Sequence, residues 1–153
     1  MSIRYWEDFN PGDAFEFGPR LITREEIIEF ASEFDPQPFH LDDEAARKSM
    51  LGGLAASGWH VCCIVMKMAS DAYLLESSFI GAPGVEEVRW VAPLRAGASV
   101  KVRATVHDKR VSRSRPEMGF LKVSHDLIDA DAKTILTLSV NPMFGLRNPG
   151  ASS

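Results

Sequence analysis

The sequence predicts a single α+β domain in which an antiparallel β-sheet wraps around one long central α-helix. Its 153 residues suit one domain and leave little room for a second. Helical patterns dominate the first half of the chain, and strands at hairpin spacing dominate the second half. Helices followed by strands in this way are typical of α+β folds. We expect the domain to span residues 1–147, with residues 148–153 as a loose C-terminal tail.

The composition argues against several classes of protein. A net charge of −4 does not favour nucleic-acid binding. No stretch approaches the ~18 uninterrupted apolar residues of a membrane-spanning helix, so no membrane association is expected. Cys62 and Cys63 are adjacent and lack the spacing of a disulfide framework or a zinc site. Because the N-terminal segment also lacks the features of a secretory signal, we expect a cytoplasmic protein.

The first helix is predicted to begin after Thr23. Thr23 and Glu26 have the spacing of a capping box, in which each side chain accepts a hydrogen bond from a backbone N–H at the helix start. Apolar residues then recur at helical spacing as far as Asp35. Pro36 disfavours the helical conformation at the residue before it, so the helix is predicted to end at Asp35.

A short segment with two prolines follows at residues 36–41. We expect Pro36 and Pro38 to hold this segment extended and to project His40 from it. Asp42 is a suitable N-cap for a short helix that runs to about Lys48.

The central helix is predicted to begin after Ser57, which is a good N-cap. From Gly58 to about Ser77 the chain has no proline and is apolar almost all round. A helix of about 20 residues would be roughly 30 Å long. One so apolar must be largely enclosed by other structure, and we expect Met66 to pack in that core.

The enclosing sheet is predicted from alternation in the second half of the chain. Residues from Val100 to Val106 and from Gly119 to Leu127 alternate with the period of strands that have one solvated face. Three more strands are predicted at 14–17, 85–91 and 134–140. An antiparallel sheet wrapped on a long helix is the hot-dog arrangement.

Asp35 and His40 are the first candidates for chemistry. They place a carboxylate and an imidazole five residues apart on a segment stiffened by proline. Adding water to the double bond of an α,β-unsaturated thioester needs a base that activates the water and an acid that protonates the α-carbon. A carboxylate beside a histidine can hold one water and serve both transfers. The structural alternative is that the aspartate ends a helix and the histidine only packs.

Ser57 and Gly58 are the second candidates, at the start of the central helix. Unpaired backbone N–H groups and the positive end of the helix dipole lie at such a start. The N–H of Gly58 could therefore stabilise a thioester oxygen as negative charge develops on it. The structural alternative is that Ser57 is an ordinary N-cap.

The segment 23–60 resembles the MaoC-like dehydratases, which include the (R)-specific enoyl-CoA hydratases, and the resemblance extends more weakly over residues 87–97. Members are hot-dog folds whose loop carries the motif Asp-x-Asn-Pro-x-His. Asp35 and His40 fall on the two catalytic positions of this motif. Gln37 stands in place of the family's Asn, with the same amide on a longer arm, and is a candidate for positioning the water or the substrate.

The resemblance implies a function for the whole domain. Ser57 and Gly58 match the family's positions that bind the thioester oxygen. We expect an enoyl-CoA hydratase, a hydro-lyase that converts a trans-2-enoyl-CoA into a 3-hydroxyacyl thioester of (R) configuration. Asp35 is expected to be the base and His40 the acid, although the roles could exchange. No metal or other cofactor is expected, because coenzyme A is part of the substrate, and the expected assembly is a homodimer or a dimer of dimers.

Two other functions stay open on the sequence. A hot-dog acyl-CoA thioesterase would use the same oxyanion donor but would aim water at the carbonyl carbon. A non-catalytic acyl-thioester binding protein is suggested by Gln37 in place of Asn. A basic run at residues 109–115 could meet the phosphates of CoA or could be a solvated loop, and His60 is expected to be a satisfied core histidine.

Overall fold

The computed structural model describes residues 2–150 of the chain. Its helices are α1 (Arg24–Phe34), α2 (Pro38–Leu41), α3 (Asp43–Arg47) and α4 (Gly58–Ala69). Its strands are β1 (Ala14–Leu21), β2 (Phe79–Gly81), β3 (Val85–Trp90), β4 (Ser99–Val111), β5 (Met118–Ile128), β6 (Thr134–Val140) and β7 (Met143–Gly145). Residues 151–153 of the predicted tail lie outside the described part of the chain.

A seven-stranded antiparallel sheet frames the molecule. Five strands follow the order β1-β4-β5-β6-β3, while β7 pairs with β5 and with β2. The predicted strands are all present, and β1, β4 and β5 extend beyond their predicted ends. The sequence did not predict β2 and β7, because three residues are too few to show alternation.

The long helix packs on the apolar face of this sheet, as the hot-dog arrangement requires. Along β4, Val100, Val102, Ala104 and Val106 are buried, and the residues between them are mostly exposed. On the helix side, Val61, Ile64, Val65 and Met68 form one core with Val100 and Val102, while Ala69 lies in a second core with Ala104 and Val106. The predicted fold class, an antiparallel sheet around a central helix, is therefore confirmed.

The central helix is shorter and less enclosed than predicted. The 12 residues of α4 are followed by a five-residue π-helical turn at Ser70–Leu74, which makes 17 residues against the predicted 20. Met66 was expected in the core but is 47% exposed, and Trp59 is 62% exposed. One sheet covers only one side of a helix, so the side of α4 that carries these two residues is open in the single chain.

The segments before α4 agree with the prediction except at one turn. Helix α1 has the predicted capping box, with the Thr23 hydroxyl accepting from the Glu26 N–H and the Glu26 carboxylate accepting from the Thr23 N–H. Asp42 caps α3 through the N–H of Ala45. The expectation of an extended segment up to His40 was wrong, because Pro38–Leu41 forms one helical turn. Pro38 occupies the first helical position, where its fixed φ is already suitable and its missing N–H costs nothing.

Within residues 2–150, none of the helices combines the length and the apolar character needed to cross a membrane.

Candidate active site

The end of helix α1 positions Asp35. Its backbone N–H still bonds to the Ala31 carbonyl, while its φ of −152° and ψ of 68° turn the chain out of the helix. Pro36 enforces this ending, as predicted from the sequence. The carboxylate is partly shielded, with 22% of its side chain exposed.

Helix α2 carries His40 into a buried position beside this carboxylate. The imidazole Nδ1 lies 2.8 Å from the carbonyl oxygen of Ala55, and Nε2 lies 3.5 Å from Oδ2 of Asp35. A carbonyl oxygen can only accept a hydrogen bond, so Nδ1 must be the protonated nitrogen in this arrangement. Nε2, the other ring nitrogen, faces Asp35.

Ser57 joins the start of α4 to the same carboxylate. Its hydroxyl donates a hydrogen bond of 2.7 Å to Oδ2 of Asp35, and its side chain does not cap α4. Ser57 is completely buried. The alternative that Ser57 is an ordinary side-chain N-cap is therefore wrong. Among residues 2–150, nothing forms a hydrogen bond to Oδ1 of Asp35, so this oxygen can still accept one.

Gly58 is the first residue of α4, where backbone N–H groups have no partner within the helix. Its carbonyl oxygen accepts a 2.9 Å hydrogen bond from the indole Nε1 of Trp90. A Cβ atom at position 58 would lie 2.6 Å from that nitrogen, so no larger residue fits without moving the ring. The sequence explained this glycine by the approach of a substrate, whereas the structure shows that it also admits Trp90.

A largely apolar groove of about 340 Å³ runs past His40 and Gly58. It is lined by Phe39, His40, Leu51, Ala55, Ala56, Gly58, Val61 and the segment 90–94. The imidazole of His40 and the first residue of α4 therefore line one cavity. The sequence alone did not predict that these two segments lie side by side.

Arg95 holds the loop between α3 and α4. Its guanidinium donates to the carbonyl oxygen of Gly53 at 2.6 Å and to that of Leu51. The next part of the loop is tied by the Ala56 N–H to the Leu94 carbonyl at 2.9 Å. These bonds fix the backbone on both sides of Ala55, whose carbonyl orients His40.

Sequence reasoning did not identify Trp90 and Arg95. Both lie in the stretch 87–97, which the sequence marked only as a strand and a turn. Their partners are backbone carbonyls 32 to 44 positions away. The only local signal was a tryptophan and an arginine close to the proline that ends β3.

Gln37 is not brought into contact with the other site residues through its side chain. The side chain is exposed and forms no hydrogen bond within the described chain. Its backbone does contribute, because the Gln37 carbonyl accepts from the His40 N–H at 2.9 Å and the Gln37 N–H donates to the Asp35 carbonyl at 2.8 Å. A role for the Gln37 amide in holding water or substrate stays a prediction.

His60 lies near the site but has different neighbours. It is buried, stacks on Phe30 with ring centroids 4.6 Å apart, and has Nε2 3.7 Å from Oε1 of Glu26. Burial lowers the pKa of His60, and the Glu26 carboxylate opposes this shift. Its Nδ1 has no hydrogen-bond partner among residues 2–150, so the expectation of a satisfied core histidine was wrong.

The basic run at 109–115 lies at the opposite end of α4. Lys109 donates to the Phe9 carbonyl at 2.8 Å and stacks its ammonium on the Trp6 ring. Trp6 packs in a cluster with Ala69, at the C-terminal end of the helix. In the single chain these charges are therefore remote from Gly58. Within the described residues, no three His, Cys, Asp or Glu side chains are grouped in a way that could hold a metal ion.

Comparison with known proteins agrees with this architecture. The sequence profile of the MaoC like domain matches residues 8–126. The uncharacterized protein YdeM of Bacillus subtilis is 27% identical over 117 residues, which are 76% of this chain and 82% of YdeM.

Two solved structures extend the comparison. The MaoC-like dehydratase from Rhodospirillum rubrum is 35% identical, with 94% of this chain and 98% of that chain covered and a TM-score of 0.87. The R-hydratase PhaJ1 from Pseudomonas aeruginosa shares the fold, with a TM-score of 0.74 at 16% identity over 94% of this chain and 86% of that one.

Proposed function

The chain belongs to the MaoC-like domain family, and from this membership we propose that it is a hydratase acting on the double bond of a trans-2-enoyl-CoA. The family and its relatives support hydratase or dehydratase chemistry in general. The observation that carries the more specific proposal is that His40, which contacts Asp35, lines the same groove as Gly58, while the neighbouring Ser57 bonds to Asp35. The product would be a 3-hydroxyacyl-CoA of (R) configuration.

Activation of the substrate begins at its thioester oxygen. The N–H of Gly58 donates to this oxygen and stabilises the negative charge that develops when water adds to C3. The positive end of the α4 dipole acts in the same direction. In other enzymes, loss of one such donor costs about 10²–10³-fold in kcat. This donor therefore accounts for a substantial part of the rate in the proposed reaction.

Asp35 and His40 then divide the proton transfers. Their facing atoms are 3.5 Å apart, so one water can lie within hydrogen-bond distance of both side chains. Asp35 takes a proton from this water, the hydroxyl oxygen bonds to C3, and the π electrons move toward the thioester oxygen. The proposed cycle starts with Asp35 as the carboxylate and His40 protonated on both ring nitrogens, so His40 donates its Nε2 proton to C2 and the electrons return from the oxygen. The proton held by Asp35 later restores His40, so atoms and charges balance.

The geometry also predicts on which face the reaction occurs. The acid and the base are neighbours, so both groups approach the double bond from the same side and the addition is syn. The reverse assignment, with His40 as the base and Asp35 as the acid, uses the same two contacts. No metal or redox group takes part in these steps, and CoA enters only as part of the substrate.

Two further parts of the proposal concern the setting of the enzyme. We propose a homodimer or a dimer of dimers, supported by the open side of α4 and by the exposed edge strand β3. A cytoplasmic location is supported by Cys62 and Cys63, which are both free thiols.

The test is an assay with crotonyl-CoA and paired variants. We expect loss of enoyl absorbance without release of free thiol, and chiral analysis should find (R)-3-hydroxybutyryl-CoA. Asp35→Asn and His40→Gln should fold normally and lose at least about 100-fold in kcat, because general acid and base groups contribute that much or more. Asp43→Asn is the matched control, since it removes an exposed carboxylate on α3 whose partner is Arg24.

Each other result points to a different function. Thiol release would identify a thioesterase. Binding of acyl-CoA without turnover, unchanged by Asp35→Ala and His40→Ala, would identify a non-catalytic binding protein. Wild-type turnover in Asp35→Asn would show that the assignment of the Asp35–His40 pair is wrong.

A further inference from the structure

The indole of Trp90 lies directly on Gly58. Its Nε1 donates to the Gly58 carbonyl at 2.9 Å, and three ring atoms lie 2.6, 2.8 and 3.1 Å from the point where a Cβ of residue 58 would stand. The ring therefore covers the side of Gly58 on which a Cβ would stand. A glycine at the start of α4 and a tryptophan at the end of β3 depend on each other in this structure.

The first turn of α4 has no side-chain N-cap hydrogen bond. Ser57 occupies the N-cap position, but its hydroxyl is bonded to Asp35 and leaves the helix start without a side-chain cap. Glycine has the greatest backbone freedom of all residues and no side chain that could hold it in place. The bond from Trp90 and the contact of its ring are thus the side-chain restraints on Gly58.

Trp90 itself is well fixed. It ends strand β3, where it pairs with Leu136 of the neighbouring strand β6. Its ring meets the Trp59 ring in an edge-to-face contact, with centroids 5.3 Å apart and planes at 82°. Trp90 also lines the groove that contains His40. Through Trp90, the end of β3 is connected to the first residue of α4.

From these contacts we infer that Trp90 is a positioning residue that holds the Gly58 N–H in the orientation needed to bind the thioester oxygen. The inference rests on the proposed function, because it assigns Gly58 as the oxyanion donor. The inference assigns different roles to the indole N–H and to the aromatic ring of Trp90. The ring forms a wall of the groove, and the N–H fixes the residue that contacts the substrate.

The test separates these two contributions. Trp90→Phe keeps an aromatic wall and removes the donor, and replacement of Trp90 by β-(3-benzothienyl)alanine exchanges only the N–H for sulfur. With crotonyl-CoA we expect kcat to fall roughly tenfold and KM to change little, because a displacement of ~1 Å at a reacting group can cost about 100-fold and this one is smaller. Trp59→Phe is the matched control, since Trp59 contacts the same ring and does not bond to Gly58.

The readouts distinguish positioning from general stability. The active fraction is measured for each variant, and kcat is expressed per folded enzyme, so a loss of folding alone does not change it. Unchanged kcat in both Trp90 variants, or a rise in KM with kcat intact, would overturn the inference while leaving the hydratase proposal in place. A wild-type protein that does not hydrate crotonyl-CoA or any other enoyl-CoA would overturn the hydratase proposal and this inference with it.

Discussion

Ser57 forms the one side-chain hydrogen bond to the carboxylate of Asp35 within the described residues. Its buried hydroxyl donates to Oδ2 across 22 positions of sequence, while the other carboxylate oxygen has no partner in the described chain. A hydrogen bond to a charged group contributes about 1.5–3 kcal/mol, more than a neutral one. Asp35 is thus held with one oxygen occupied and one oxygen available for water.

Replacing Ser57 with alanine should therefore lower activity without removing either proton-transfer group. The carboxylate would gain rotational freedom, so we expect kcat to fall roughly tenfold, as for a modest misplacement of a reacting group. The loss of one buried bond should lower the free energy of unfolding by about 1–3 kcal/mol, measured by urea denaturation. The control is Ser32→Ala, which removes an exposed hydroxyl bonded to the Ile28 carbonyl within α1. Normal kcat in Ser57→Ala would mean that Asp35 is oriented by something else.

Three helix termini converge at the candidate site, and each one contributes a different group. The end of α1 supplies Asp35, the single turn of α2 supplies His40, and the start of α4 supplies Ser57 and Gly58.

At its other end, the central helix is joined to the sheet by a buried polar contact. There the hydroxyl of Tyr73 lies 2.7 Å from Nε2 of His125 on β5, and both side chains are buried.

This Tyr73–His125 pair should make stability depend on pH. Burial lowers the pKa of His125 to about 4, although the Leu138 backbone and the Asp126 carboxylate act in the opposite direction. In the unfolded chain the pKa of the same group is the ordinary histidine value of about 6.5. Between these two values the unfolded state binds more protons. His125 therefore makes its full contribution to the free energy of unfolding above pH 6.5. As the pH falls toward 4, protonation of the unfolded state lowers the free energy of unfolding by on the order of 3 kcal/mol.

Urea denaturation at pH 7 and pH 4.5 measures this effect. We expect the wild type to lose more stability between the two values than His125→Gln, which keeps polar atoms at this position and cannot titrate. His107→Gln is the control, because His107 is exposed and bonds to Ser124. Equal losses in the wild type and in His125→Gln would show that His125 is not the group responsible.

At the scale of the whole molecule, strand β3 lies at an edge of the sheet, and within residues 2–150 it pairs on one side only, with β6. Five of its six residues are exposed, among them Val85 at 55%. Ile80, Trp59 and Met66 are further exposed apolar side chains on the elements before it. Free strand edges and exposed apolar side chains are both features of association sites. These features support assembly through the β3 edge.

Light scattering after size-exclusion chromatography tests this assembly. We expect a mass of at least twice the 16.9 kDa of one chain. Val85→Lys should shift the protein toward the monomer, because a charge would then be buried in the interface. Leu21→Lys, on the opposite edge of the sheet, is the matched control with a similarly exposed apolar residue. Dissociation by Leu21→Lys alone would place the interface on β1.

The amino-acid sequence by itself was sufficient for the fold class and for most elements. Alternation along β4, the capping box at Thr23 and Pro36 at the end of α1 act between near neighbours, so they can be read from a single segment. The pairing of Asp35 with His40 was foreseeable for the same reason, since the two residues are only five positions apart and two of the four residues between them are prolines.

Other features depended on tertiary structure. The hydroxyl of Ser57 bonds to Asp35 instead of its own helix, Trp90 lies on Gly58, and Arg95 holds the loop that orients His40. Each of these bonds joins residues more than 20 positions apart. Spacing in a sequence does not specify which distant donor reaches an acceptor, because that depends on how the sheet and α4 pack together.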